Sequence, residues 1–153
     1  MNLLLEGNFF GQQQNQKFDG IYSRGGTYFL TFSKQSSLVT DIYSDNVSVL
    51  AHDSLLVQSW LVGAGGKIGP VCRGNSSVLD SSYINLHMSG KSWKWSNTED
   101  HSKWAVGVNT PLFCLGSLNR MVSQKSRGGQ VTCMNNPMVH RLFKSAHETS
   151  EHC

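Results

Sequence analysis

Alanine and glutamate, two of the strongest helix formers, each occur only four times in this chain, which excludes a helix-dominated fold. Charge is also sparse. Asp, Glu, Lys and Arg make up 15% of the residues against 39% hydrophobic ones, too little charge and too much apolar content for a disordered chain. No apolar run approaches the roughly twenty residues that a membrane-spanning helix needs: the most apolar stretch, Leu55 to Val62, is closed off by Asp53 before it and by Gly63 to Lys67 after it. With 153 residues, one compact domain is expected, because two would each struggle to bury a core.

Metal and redox signatures are missing as well. Cys72, Cys114, Cys133 and Cys153 contain no C-x-x-C pair, the close two-ligand turn that a tetrahedral thiolate site commonly uses. Among the histidines, His140 and His147 share a helix face but stand two turns, about 10 Å, apart, too far to ligate one ion. No metal and no cofactor are therefore expected. The N-terminus has no Lys or Arg before Leu3-Leu4-Leu5 and meets Glu6 at once, unlike a secretory leader. The expectation is a soluble intracellular protein with free thiols; secretion by another route would permit two disulfides in three connectivities.

Catalytic patterns are equally scarce. The segment Gly63-Ala64-Gly65-Gly66-Lys67-Ile68-Gly69 has Leu61 where a Walker A loop requires glycine and Ile68 where it requires Ser or Thr, so it reads as a flexible turn. There is no G-x-S-x-G elbow, and the neighbouring acids Glu99-Asp100 and Asp41/Asp45 read as solvated turn residues. Enzyme activity is not expected. Asn46-Val47-Ser48 and Asn75-Ser76-Ser77 match the N-glycosylation triplet, at about the frequency that chance supplies in so Ser- and Asn-rich a chain.

What is present points to strands. Gly20 to Phe32 reads as a hairpin, with Gly25-Gly26 between two aromatic and β-branched segments. Leu38–Tyr43 and Val47–Ala51 read as a second one. Ser82–Met88 and Lys103–Val108 alternate in period two, and Leu112–Leu115 and Val131–Met134 add shorter strands. Asn136 as N-cap and Pro137 at the first helical position open an amphipathic helix, whose apolar stripe is Met138, Val139, Leu142, Phe143 and Ala146. The fold expected is mainly β, a small antiparallel sandwich or barrel-like domain with a short C-terminal amphipathic helix. Its organisation is a polar lead-in over 1–19, a β-rich domain over 20–135, the helix over 136–147 and a flexible tail over 148–153.

Two surface features suggest partners. From His101 to His147 there is no acid, while Lys103, Arg120, Lys125, Arg127, Arg141 and Lys144 are positive; of these Arg120, Lys125, Arg127, Arg141 and Lys144 are the candidate phosphate contacts for weak nucleic-acid binding. Lys91, Trp93 and Trp95 would share one strand face and, with Lys103 nearby, offer an aromatic and cationic platform to a protein or peptide. Trp104 is expected in the core.

Ser89-Gly90-Lys91, Asp100 and Trp104-Ala105-Val106-Gly107-Val108 together resemble the signature of SPRY-type β-sandwich domains. The strand between them departs, since Trp93-Lys94-Trp95-Ser96 shifts the family's tryptophan by one residue and so to the other face. The resemblance covers about twenty residues and implies peptide recognition by surface loops without catalysis. The reading reached from sequence is a small non-enzymatic protein-interaction module, with nucleic-acid binding through 101–147 as the alternative and an orphan open-reading-frame product as the background possibility.

Overall fold

The computed structural model of the chain describes residues 15–63 and 65–153. Its strands are β1 (Gln16–Tyr22), β2 (Tyr28–Lys34), β3 (Leu55–Gln58), β4 (Val78–Asp80), β5 (Tyr83–Met88), β6 (Lys91–Ser96), β7 (Trp104–Gly107), β8 (Leu112–Gly116), β9 (Gly129–Asn135) and β10 (His147–Glu148); the α-helices are α1 (Ser48–Ala51) and α2 (Pro137–Ala146). Seven strands form a sheet in the order β1-β2-β9-β8-β7-β3-β4, and β10-β5-β6 form a second. Neighbours pair antiparallel except β3 with β4. The expected mainly-β domain with a C-terminal helix is the fold the chain adopts.

Alternation along the central strands splits the core in two. Leu55, Val57, Ala105, Cys114 and Val131 pack on one face of the large sheet with Ile42, Tyr43 and Val47. Trp104, Val106 and Phe113 pack on the other face with Ile84 of β5 and Ala146 of α2. β7 is therefore buried on both faces, where its alternation alone suggested a half-buried strand. The Gly20–Phe32 hairpin forms as β1 and β2, in register from Gln16↔Lys34 to Tyr22↔Tyr28.

The second expected hairpin does not form. Residues 42–47 make a π-helical turn that runs into α1, because the Asp41 carboxylate accepts from the Tyr43 N–H at 3.2 Å and the Asp45 N–H donates to the Asp41 carbonyl at 2.9 Å. A local side-chain cap overrides strand propensity here. At the other end, Asn136 Oδ1 accepts from the N–H groups of Met138 and Val139, both at 3.1 Å. Asn136→Ala is expected to cost about 1 kcal/mol, seen as a lower urea midpoint at unchanged m-value.

The thiols are not free. Cys114 and Cys133 face each other across β8 and β9 and are bonded, and Cys72 is bonded to Cys153. The expectation of reduced cysteines is thereby overturned: register brings one pair together and the path of the C-terminal segment the other. That segment also donates from Thr149 Oγ1 to the Asp80 carbonyl at 2.6 Å and accepts from the Asp80 N–H through Glu151 at 2.6 Å. Of the lead-in assigned to 1–19, residues 1–14 lie outside the described residues, and β1 begins at Gln16. Among the described residues, no helix is long and apolar enough to cross a membrane.

Candidate functional site

Pairing of Gln58 with Trp104 places the chain leaving β3 beside the chain entering β7, and β8, paired with β7, delivers the segment after Gly116 to the same end of the sheet. Three stretches far apart in sequence, around residues 58–63, 98–103 and 119–127, meet there. Gln58 is fully buried and donates through Nε2 to the Asp100 carbonyl at 3.3 Å. The Asp100 carboxylate accepts from the Ser102 N–H at 2.8 Å and from Trp95 Nε1 at 3.1 Å. These bonds fix the turn that leaves His101 exposed.

Trp60 holds the imidazole from one side. Its backbone N–H donates to Asn119 Oδ1 at 3.2 Å and its Nε1–H to the Thr98 carbonyl at 2.8 Å. The indole thereby stacks on the His101 ring, with centroids 4.5 Å apart and planes at 24°. Lys103 Nζ donates to the His101 carbonyl at 2.6 Å. His101, Lys103, Asn119, Ser123, Gln124 and Arg127 line an open cavity of ≈ 490 Å³ together with Trp60. No carboxylate is among its described lining residues. Neither ring nitrogen of His101 has a hydrogen-bond partner among the described residues.

Two buried cations hold the segments that carry Asn119 and Arg127. Arg120 is fully buried and donates from Nε to Asp41 at 3.0 Å, from Nη1 to Asp80 at 2.7 Å and from Nη2 to the Gly69 carbonyl at 3.0 Å. Burial pushes the Asp80 carboxyl up to about 7 despite the guanidinium beside it. Lys34, also buried, donates to the carbonyls of Leu38 at 3.0 Å, Lys125 at 2.7 Å and Arg127 at 2.6 Å. That tripod pins the loop that carries Arg127. Burial lowers the pKa of Lys34, with Asp41 opposing the shift. Among the described residues, no three His, Cys, Asp or Glu side chains gather in a way that could hold a metal ion.

The residues singled out from sequence separate into several places. Lys103 and Arg127 meet in the His101 cavity. Arg120 cannot contact a phosphate, because its guanidinium is enclosed and satisfied by two carboxylates. Lys125 is half-buried in a neighbouring cleft beside Thr40 and Asp41. Arg141 and Lys144 line a different cavity with Asn109 and His140, beyond the far end of β7 and, by the rise of a strand, roughly 17 Å along the chain direction from Lys103. Lys91, Trp93 and Trp95 share a face of β6 that turns inward only at Trp95. Trp95 packs against the second core cluster while Trp93 remains 46% exposed. The platform is thus half core. Trp104 is buried as expected.

Trp60 and Asn119 were not singled out from sequence, and His101 entered only as a boundary of the acid-free stretch. The one local signal was a polar run, Asp100-His101-Ser102-Lys103, set directly before a strand apolar on both faces.

The chain matches the family model described as Deoxyribonuclease II over residues 1–153. It is 33% identical to deoxyribonuclease-2-alpha of Rattus norvegicus over 134 residues, 87% of this chain and 37% of the rat protein. Plancitoxin-1 of Acanthaster planci is 32% identical over 135 residues, 87% of this chain and 37% of that protein. Cell-death-related nuclease 7 of Caenorhabditis elegans is 32% identical over 122 residues, 78% of this chain and 32% of that protein. The chain thus spans about a third of the length of these relatives. These matches overturn the expectation of an orphan, non-enzymatic interaction module, and with it the lead given by the SPRY-like segment, whose two halves lie in different sheets.

Proposed function

Because the chain belongs to the Deoxyribonuclease II family, we propose that it contributes to hydrolysis of DNA phosphodiester bonds and that the chemistry takes place at the His101 cavity. The observation that carries this reading is an exposed imidazole whose two nitrogens have no hydrogen-bond partner among the described residues, set with Lys103 and Arg127 in a cavity whose described lining holds no carboxylate. A phosphodiester brings negative charge, which two cations draw in and a nearby carboxylate would repel. His101 then acts in one of two ways: its nitrogen attacks phosphorus as one bridging P–O bond breaks and the leaving oxygen takes a proton from solvent, with water afterwards cleaving the phosphorus–nitrogen bond, or it takes the proton of a water that attacks phosphorus as that same P–O bond breaks. Lys103 and Arg127 neutralise the charge that grows on the non-bridging oxygens. Asn119 and Trp60 fix the plane of the ring.

Binding is the first readout, since the chain spans only part of its relatives' length. A labelled DNA duplex titrated with the protein at several salt concentrations is expected to show affinity falling with salt. Lys103→Ala and Arg127→Ala should each lower the slope of log K against log salt by about one. Slopes identical to the unaltered chain would place DNA elsewhere on the molecule. The two disulfides support a second part of the reading, that the chain matures in an oxidising compartment and not in the reducing one first expected.

A further inference from the structure

We propose that Asn75 carries an N-linked glycan and that Asn46, the other asparagine in a matching triplet, does not; this rests on the oxidising-compartment reading above. Asn75 is exposed within the short turn Gly74–Ser76. The turn is held by its own neighbours: Ser77 Oγ accepts from the Arg73 N–H at 3.0 Å and donates to the Gly74 carbonyl at 3.0 Å, and the Ser77 N–H donates to Ser54 Oγ at 3.1 Å. The Asn75 side chain takes no part in this network, so its Nδ2 is free to hold a bulky substituent without loss of a bond.

Asn46 is placed differently. It is half-buried in the π-helical turn, its Oδ1 lies 3.5 Å from Thr40 Oγ1, and the next two residues of its triplet, Val47 and Ser48, are buried. A glycan there would have to be accommodated against the first core cluster. Chain order also leaves Asn75 accessible. Its loop is closed by the Cys72–Cys153 disulfide, whose two cysteines are 81 residues apart, so the triplet is synthesised well before that bridge can form.

The position is compatible with the proposed reaction. The Ser77 carbonyl accepts from the Leu55 N–H at 2.8 Å, at the start of β3, where Leu55 pairs with Gly107. The His101 cavity lies beyond the other end of the same strand, where Gln58 pairs with Trp104. A glycan on Asn75 leaves that cavity open. In the transfer, Asn75 Nδ2 attacks the anomeric carbon of a lipid-pyrophosphate-linked oligosaccharide. The new C–N bond forms as the bond from sugar to pyrophosphate breaks, the lipid pyrophosphate departs with the electron pair, and Nδ2 loses one proton to a base.

The test is secretion of the whole chain from a eukaryotic host, with three measurements. Peptide mass spectrometry of the unaltered chain is expected to find the glycan on Asn75, and a peptide N-glycosidase is expected to increase its gel mobility. Asn75→Gln should lose that response and Asn46→Gln should keep it. Thiol titration without reductant should find no free cysteine. A chain with both disulfides intact and an unmodified Asn75 overturns this proposal while leaving the compartment reading standing. Free thiols in the secreted chain overturn the compartment reading. A glycan mapped to Asn46 alone overturns the assignment directly, whatever the folding of the variants.

Discussion

Replacing His101 with asparagine is expected to lower DNA hydrolysis by about two to four orders of magnitude, the range for loss of a positioned acid–base or nucleophilic group. DNA affinity should stay within about threefold, because the charges that attract the backbone are on Lys103 and Arg127. Stability should hardly change, since the residue is exposed and neither ring nitrogen has a hydrogen-bond partner among the described residues. The combination is diagnostic. A variant that loses both turnover and binding would mean that the imidazole only shapes the cavity. One with turnover within about threefold of the unaltered protein would remove His101 from the chemistry altogether. Rapid quenching with labelled substrate separates the two routes open to the ring, because only attack on phosphorus leaves a phosphorus–nitrogen bond on His101. Trp60→Leu is the companion variant. It removes the stacking partner and the bond to Thr98, so it should depress turnover far more than affinity.

Much of the fold could be read from the chain because its signals are local. The period-two alternation of β5, the glycine turn between β1 and β2, and the Asn136-Pro137 cap of α2 each need only a few consecutive residues. The π-helical turn at 42–47 escaped because apolar residues there suit a strand equally well and the deciding group is a single aspartate cap. The site was illegible for a different reason. His101 is two residues from Lys103 in sequence, but Trp60, Asn119 and Arg127 reach it only because β3, β7 and β8 end side by side. Charge counting misled in the same way. It treated Arg120 and Arg127 alike, seven residues apart, whereas one is sealed against Asp41 and Asp80 and the other faces the cavity. The thiols were misjudged because pairing across 81 and 19 residues depends on register and tail path, which composition does not contain.

Arg120→Met is expected to destabilise the fold by about 3–5 kcal/mol, because it leaves Asp41 and Asp80 buried without their cation. Urea unfolding at neutral pH measures it, and a loss under about 1 kcal/mol would mean that the pair is solvated in solution. Acidification should rescue the variant in part, since protonated carboxyls no longer need the guanidinium. The unaltered chain has a subtler pH dependence with two opposed contributions. Asp80 is pushed up to about 7 from its ordinary 3.8 by burial, with Glu151 and Asp41 adding to the shift and Arg120 opposing it. The folded state therefore holds more protons there, and this stabilisation is complete below about 3.8 and lost as pH rises through 7. His147 is pushed down from 6.5 to about 4 by burial, and its Nε2 has no partner among the described residues. Its contribution is present above 6.5 and lost as pH falls through 4. Between those limits the slopes oppose, so unfolding free energy should vary little. Asp80→Asn removes one slope and should leave a chain that weakens on acidification. His147→Phe removes the other and should leave one that strengthens. Asp45, Asp53 and Glu148, all held below their ordinary values, contribute their losses at more acid pH. If Asp80→Asn and the unaltered chain gave parallel profiles, Asp80 would be ionised in the fold, and the single guanidinium of Arg120 would be carrying two carboxylates at once.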